Sequence, residues 1–92
     1  MAPNVIRVLP MNDYTVQVHF SDGKVVCYDV KPLLSQGVFK QLQNIHIFKN
    51  TCTILNNTLA WDISGKQDKS NCIDIDPETL YKLPAIKDKA AG

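Results

Sequence analysis

Arginine is almost missing from this chain. Arg7 is the only one in 92 residues, and the ten Lys and Arg together face nine acids, for a formal net charge of +1. Residues 1–46 carry four basic and three acidic side chains, and residues 47–92 carry six of each. Neither half has the clustered Lys and Arg that contacts to a phosphate backbone require, so direct nucleic-acid binding is disfavoured. No apolar run approaches the roughly 20 residues that a membrane helix needs. The first residues, MAPNVIRVLP, lack the charged head and long apolar stretch of a signal peptide. Cysteine is scarce and odd in number: Cys27, Cys52 and Cys72, with no C-x-x-C pair. That usage fits reduced thiols in a reducing compartment better than a disulfide framework. These absences together point to the cytoplasm. Repeats and low-complexity segments are lacking too.

What is present is a folded chain. Hydrophobic residues make up 45% of it, well above what a disordered segment carries. The expected class is a small, single α+β domain over residues 1–83, followed by a flexible tail, 84–92. Val5, Ile6, Val8 and Leu9 form a β-prone run that Pro10 closes. Tyr14 to Phe20 then alternates, with Tyr14, Val16, Val18 and Phe20 on one face and Thr15, Gln17 and His19 on the other. Asp22-Gly23 follows as a hairpin signal. A two-residue loop there sets Phe20 opposite Val25, Val18 opposite Cys27 and Val16 opposite Asp29, which makes Cys27 a core thiol.

The next stretch, Val30 to Leu42, reads as two short helical pieces broken at Ser35–Gly37. Asp29 is the expected cap of the first, and Pro32 sits in the first turn, where its missing N–H costs nothing. Ile45, Ile47 and Phe48 form an apolar connector. A second hairpin through Asn56-Asn57 puts Ile54 opposite Leu59 and Cys52 opposite Trp61. Ser64 to Asn71 is polar and without periodicity, the pattern of an exposed loop. Ile73 and Ile75 resume alternation, and a short helix begins at Pro77.

Three carboxylates fall close together in CIDIDPETLY: Asp74, Asp76 and Glu78. Asp74 and Asp76 share one face of an extended segment, about 7 Å apart at Cα, and could together hold a divalent ion for hydrolytic chemistry. A structural role explains more. Asp76-Pro77-Glu78 fits N-cap, N1 and N2 of a helix: an oxygen for an orphan N–H, a ring that presets φ, and a negative charge at the positive end of the dipole. No EF-hand spacing is present. His19 and His46 are the only histidines, too few for a zinc site, and the register above places His19 and Cys27 on opposite faces. Both histidines are expected on the solvated surface. Gly65-Lys66 fails as a phosphate loop, since the motif needs a glycine where Ala60 stands and a Ser or Thr where Gln67 stands. No serine lies in a G-x-S-x-G elbow. Cys52 reads as a core thiol, Cys72 as the most exposed one, and Trp61 as a core anchor. No catalytic residue, metal site or cofactor follows from these residues.

Taken in order, YTVQVHFSDGKVVCYDV, KPLLSQGVFKQL, IFKN, LAWD and DIDPETLY resemble the small bacterial family catalogued as domain of unknown function 2442, from about Val5 to Tyr81. No single motif is diagnostic; the ordered set is the signal. The resemblance implies a three-stranded antiparallel meander, a short helical crossover, a second β-hairpin and a short C-terminal helix. In the family the tryptophan strand runs almost directly into the D-x-x-P-E segment, so Ile63 to Cys72 form an additional loop here. Family settings imply a protein-binding module with no known catalytic residues. Some relatives are fused to a helix-turn-helix domain, for which this chain has no room. Others sit beside a second small gene in a toxin–antitoxin-like pair. The expected function is therefore a non-enzymatic, cytoplasmic interaction module, an antitoxin-like member of a two-gene pair. Its partner would be the adjacent-gene product or another copy of itself, meeting an exposed sheet edge or the surface around Phe39, Phe48, Asp74 and Tyr81. The rival readings are a metal-dependent hydrolase built on the acid cluster and a nucleic-acid-binding regulator.

Overall fold

The computed structural model describes residues 2–66 and 72–86. The chain forms two three-stranded antiparallel sheets joined by short helical segments, a small α+β domain. In the first sheet, β1 (Val5–Pro10), β2 (Thr15–Phe20) and β3 (Val25–Asp29) lie in sequence order as a meander. In the second, β4 (Cys52–Leu55), β5 (Thr58–Trp61) and β6 (Ile73–Asp74) do the same. Two 3₁₀ segments, Lys31–Leu33 and Gly37–Gln43, and the helix α1 (Ile45–Asn50) make the crossover, and α2 (Pro77–Tyr81) closes the domain.

Alternation in β2 sorts the side chains as the sequence indicates. Val16, Val18 and Phe20 are fully or almost fully buried, while Thr15, Gln17 and His19 face the other way. Tyr14 lies just outside the strand, with a positive φ of 65°. Its ring packs edge-on against Phe48 and its hydroxyl donates to the Gln43 carbonyl. All four residues of β5 are buried because it is the middle strand of its sheet. Trp61 has no exposed surface, and its indole N–H donates to the Phe48 carbonyl at 3.1 Å. The hydroxyl of buried Thr58 donates to the Ile75 carbonyl at 2.7 Å, which ties the chain after β6 to β5. β1 joins the two sheets: the Val5 N–H donates to the Asn57 carbonyl at the tip of the second hairpin.

The second hairpin has the expected register, Ile54 opposite Leu59 and Cys52 opposite Trp61. Asn56 and Asn57 hold φ values of 54° and 62°, the paired positive angles of a type I′ turn. The first hairpin is different. Val18 faces Val26, Val16 faces Tyr28, and Gln17 faces Cys27. The loop has three residues, not two: the Phe20 N–H donates to the Lys24 carbonyl and the Gly23 N–H to the Phe20 carbonyl. Only Gly23 takes positive φ there, and the Asp22 carboxylate accepts the Lys24 N–H at 3.0 Å. The slip of one residue turns each side chain of β3 to the other face. Cys27 is therefore exposed and not a core thiol, while Val26 is fully buried.

The helical break at Ser35–Gly37 is present, and Gly37 opens the second 3₁₀ segment with φ +45°. Asp29 is not the cap residue of the first segment, a position that Val30 holds. Its carboxylate still accepts the Lys31 N–H at 3.0 Å and pairs with the Lys31 ammonium. The apolar connector is α1, capped by Asn44, whose side chain accepts the His46 N–H at 2.9 Å. Of the expected tail, Pro84 to Ile86 follow the body of the domain, with the Ile86 N–H donating to the Val25 carbonyl at 2.7 Å. The rest of that tail and the centre of the loop after Ile63 lie outside the described residues.

Candidate functional site

The three carboxylates of CIDIDPETLY go to three separate tasks. Asp76 caps α2 by accepting the Glu78 N–H at 3.0 Å, with Pro77 in the first turn. Glu78 accepts the Ala2 backbone N–H at 2.6 Å, which holds the N-terminal segment against α2. Asp74, exposed on β6, takes the Asn56 side-chain amide at 3.5 Å. Ile73, Ile75 and Leu80 bury themselves beneath them. Among the described residues, no group of three or more His, Cys, Asp or Glu gathers where it could hold a metal ion. His19 and Cys27 share one face of the first sheet, a correction that follows from the register: Gln17, between them on that face, faces Cys27, and His19 faces Val25. That makes one imidazole and one thiol, short of the three or four ligands zinc takes.

The four candidate contact residues do not form one surface. Phe48 is fully buried in the core, packed against Tyr14 and Trp61, so it has no surface to offer a partner. Phe39 is half-buried against the core, beside the exposed Val38. Tyr81 is committed within the domain. Its ring meets Phe20 edge-on at 4.9 Å, its hydroxyl donates to Asp22 at 2.5 Å, and the Lys24 ammonium lies 4.4 Å from the ring centre and donates to the Tyr81 carbonyl. The shared hydrogen bond lowers the Asp22 carboxyl from its ordinary value, helped by the Lys24 N–H, and raises the Tyr81 hydroxyl. The thiols also rearrange. Cys27 is the exposed one, Cys72 is half-buried, and burial pushes the Cys52 thiol up to about 12.

The strongest feature is the outer edge of β3; the sequence pointed to an exposed sheet edge but not to which strand supplies it. In an antiparallel pair, successive residues turn their backbone groups alternately toward the neighbour and away from it. The Val30 N–H donating to Tyr14 and the Lys24 carbonyl receiving Phe20 fix the phase: even-numbered residues of β3 bond to β2. Val25, Cys27 and Asp29 therefore direct their N–H and C=O groups outward. Of these groups, the Val25 carbonyl alone has a backbone partner among the described residues, the Ile86 N–H. The sequence signal for this edge lies in the phase of VVCYDV: Val26, Tyr28 and Val30 are all apolar, whereas the opposite phase would bury Asp29.

Matched against protein families, residues 5–83 fit one described as a protein of unknown function, DUF2442. The chain belongs to the DUF2442 family. No curated protein and no solved structure shows significant similarity to it. The match runs from the first residue of β1 to just past α2, so this DUF2442 domain takes in both sheets, the crossover and the capped terminal helix. No described helix is long and apolar enough to cross a membrane.

Proposed function

We propose that this DUF2442 domain is a non-enzymatic, cytoplasmic protein-interaction module that docks its partner along the outer edge of β3. The supporting observation is the row of outward backbone groups on Val25, Cys27 and Asp29. An edge of this kind templates a further strand, and proteins that avoid such pairing blunt it with proline, a bulge, charge or a covering segment. β3 has no proline and no bulge, its outward row carries a single charge at its end, Asp29, and among the described residues Ile86 alone covers it, at the first rung. The partner is another protein: the product of the adjacent gene, in an antitoxin-like pair, or another copy of the chain.

Coexpression with the adjacent-gene product followed by gel filtration tests this. The two are expected to comigrate, and Cys27→Lys, which places a charge on the edge while leaving the buried face of β3 intact, is expected to separate them. Two species that never comigrate, joined to a β3 edge indifferent to Cys27→Lys in any assembly, would overturn the reading.

A further inference from the structure

The outward groups of β3 fall in a pattern that recognises itself. Two copies of a strand that pair antiparallel about a two-fold axis must match residue i with residue j and j with i. Only Val25, Cys27 and Asp29 offer outward backbone groups, so the axis can lie on or between these residues. Centred on Cys27, the pairing uses all three: Cys27 meets Cys27, and Val25 and Asp29 meet each other twice. Any other two-fold register leaves outward groups unmatched, and the one centred on Asp29 sets two carboxylates face to face.

The Cys27-centred register is also favourable in its side chains. On the inner face it places Val26 opposite the half-buried Tyr28 of the second copy, an aromatic–β-branched pair that strengthens sheets. On the outer face Asp29 meets Val25, so no like charges are opposed.

Within one copy, the same position beside Val25 is taken by Ile86. Tyr81 is fixed at the hairpin tip through Asp22 and Lys24, and the chain runs from there so that the Ile86 N–H reaches the Val25 carbonyl at 2.7 Å. A second copy's Asp29 needs that place. Pairing of two edges and docking of Ile86 therefore exclude each other at this rung.

Resting on the reading of β3 as a docking edge, we infer that its occupant is the β3 of a second copy, paired antiparallel about a two-fold axis at Cys27, and that the Pro84–Ile86 strap holds this pairing in check. Two three-stranded sheets then merge into one of six strands. The pairing is reversible and weak, because its contacts are backbone rungs plus one pair of side chains per copy.

Sedimentation equilibrium of the full chain under reducing conditions reads the pairing directly. The wild type is expected to show a concentration-dependent monomer–dimer equilibrium. Ile86→Pro, which deletes the N–H that engages Val25 in each copy, is expected to tighten it by about thirtyfold, the effect of roughly one net hydrogen bond of about 1 kcal/mol in each of the two copies. Cys27→Lys, exposed in the monomer and so harmless to its fold, is expected to abolish the dimer. Cys27→Pro should do the same, since an outward N–H on an edge strand can be lost without breaking the ladder. Directly opposed Cys27 residues would lie about 5.5 Å apart at Cα, within disulfide range. Mild oxidation should therefore link two copies through Cys27, and peptide mapping should find that bond.

A chain that stays monomeric at high concentration with Ile86→Pro in place overturns the inference. So does a dimer untouched by Cys27→Lys, or one cross-linked through another cysteine. If the chain stays monomeric yet the adjacent-gene product binds it and is lost on Cys27→Lys, the docking edge stands and self-pairing falls. If neither assembly responds to Cys27→Lys, both fall.

Discussion

Asp76 separates the capping role of the acid segment from a catalytic one. Its carboxylate accepts the Glu78 N–H at 3.0 Å, while its own carbonyl receives Thr79 and Leu80 at 3.0 and 3.3 Å. Asp76→Ala removes the first bond and leaves the other two. Loss of an N-cap oxygen costs about 1 kcal/mol, and loss of the negative charge at an exposed helix start adds about 0.3 kcal/mol. Asp76→Asn keeps an oxygen that can cap and loses only the charge, so it costs about 0.3 kcal/mol. A domain of this size moves its Tm by about 4–8 °C per kcal/mol. Thermal unfolding followed by circular dichroism should thus drop by roughly 5–10 °C for Asp76→Ala and by about 1–3 °C for Asp76→Asn.

The same scans repeated with magnesium, manganese or calcium complete the test. A site filled at 100 times its Kd would add about 2.7 kcal/mol to the folded state, a rise of roughly 10–20 °C. The capping role predicts that the ions leave the Tm where it is. An ion-dependent rise in the wild type that vanishes in Asp76→Asn, or an Asp76→Asn loss as deep as that of Asp76→Ala, would refute it and favour the hydrolase.

Other contacts give further checks. The Tyr81–Asp22 hydrogen bond lowers the Asp22 carboxyl below 3.8 and raises the Tyr81 hydroxyl above 10.0. The Asp22 contribution is fully present above pH 3.8 and is lost as pH falls through its lowered value. The Tyr81 contribution is fully present below pH 10.0 and is lost as pH rises through its raised value. Urea titrations should therefore show a stability gap between wild type and Tyr81→Phe that is level from about pH 5 to 9 and narrows on either side; a gap that changes within that window contradicts the pairing. In the folded protein at low concentration, iodoacetamide should label exposed Cys27 promptly and spare Cys52, whose half-buried thiol is pushed up to about 12, until denaturant is added; similar rates by peptide mapping would be inconsistent with the fold. Asn57 holds φ 62° in the second turn, so Asn57→Gly should stabilise by a few tenths of a kcal/mol and Asn57→Ala should destabilise by about 1 kcal/mol in chemical denaturation. Effects of the same sign would count against the type I′ turn.

The two hairpins show where the sequence was legible and where it misled. Asn56-Asn57 and Asp22-Gly23 both look like two-residue turns. In the first, two asparagines accept positive φ and the register follows. In the second, Asp22 keeps negative φ and spends its carboxylate on the Lys24 N–H, so the turn grows by one residue around Gly23. The information to choose was in β3 itself. The two-residue loop placed Asp29 beside Val16 on the core face, and burying an unpaired charge costs far more than exposing Cys27. The end of the chain was easier: capping is local, so D-P-E sufficed to place the start of α2. Phe48 escaped as a core residue because its burial depends on Tyr14 and Trp61, which are distant in sequence and meet it only in the fold.

The β3 edge escaped for a different reason. A catalytic or metal site is written in side-chain identities, so it leaves motifs, and Asp74, Asp76 and Glu78 looked like one until each was found bonded elsewhere. A docking edge is written in backbone groups that every residue except proline carries. Its requirements are a phase, an absence of proline at the outward positions, and a row left largely uncovered. The first can be read only after the hairpin register is known, and the last only after the path of the chain beyond α2 is known. Changing the register by one residue would expose Lys24, Val26 and Tyr28 to the outer face and bury Asp29. The apolar phase Val26-Tyr28-Val30 that secures β3 in the core is thus also what sets the backbone groups of Val25, Cys27 and Asp29 along the outer edge, so one alternation fixes the fold and the edge on which the proposed docking rests.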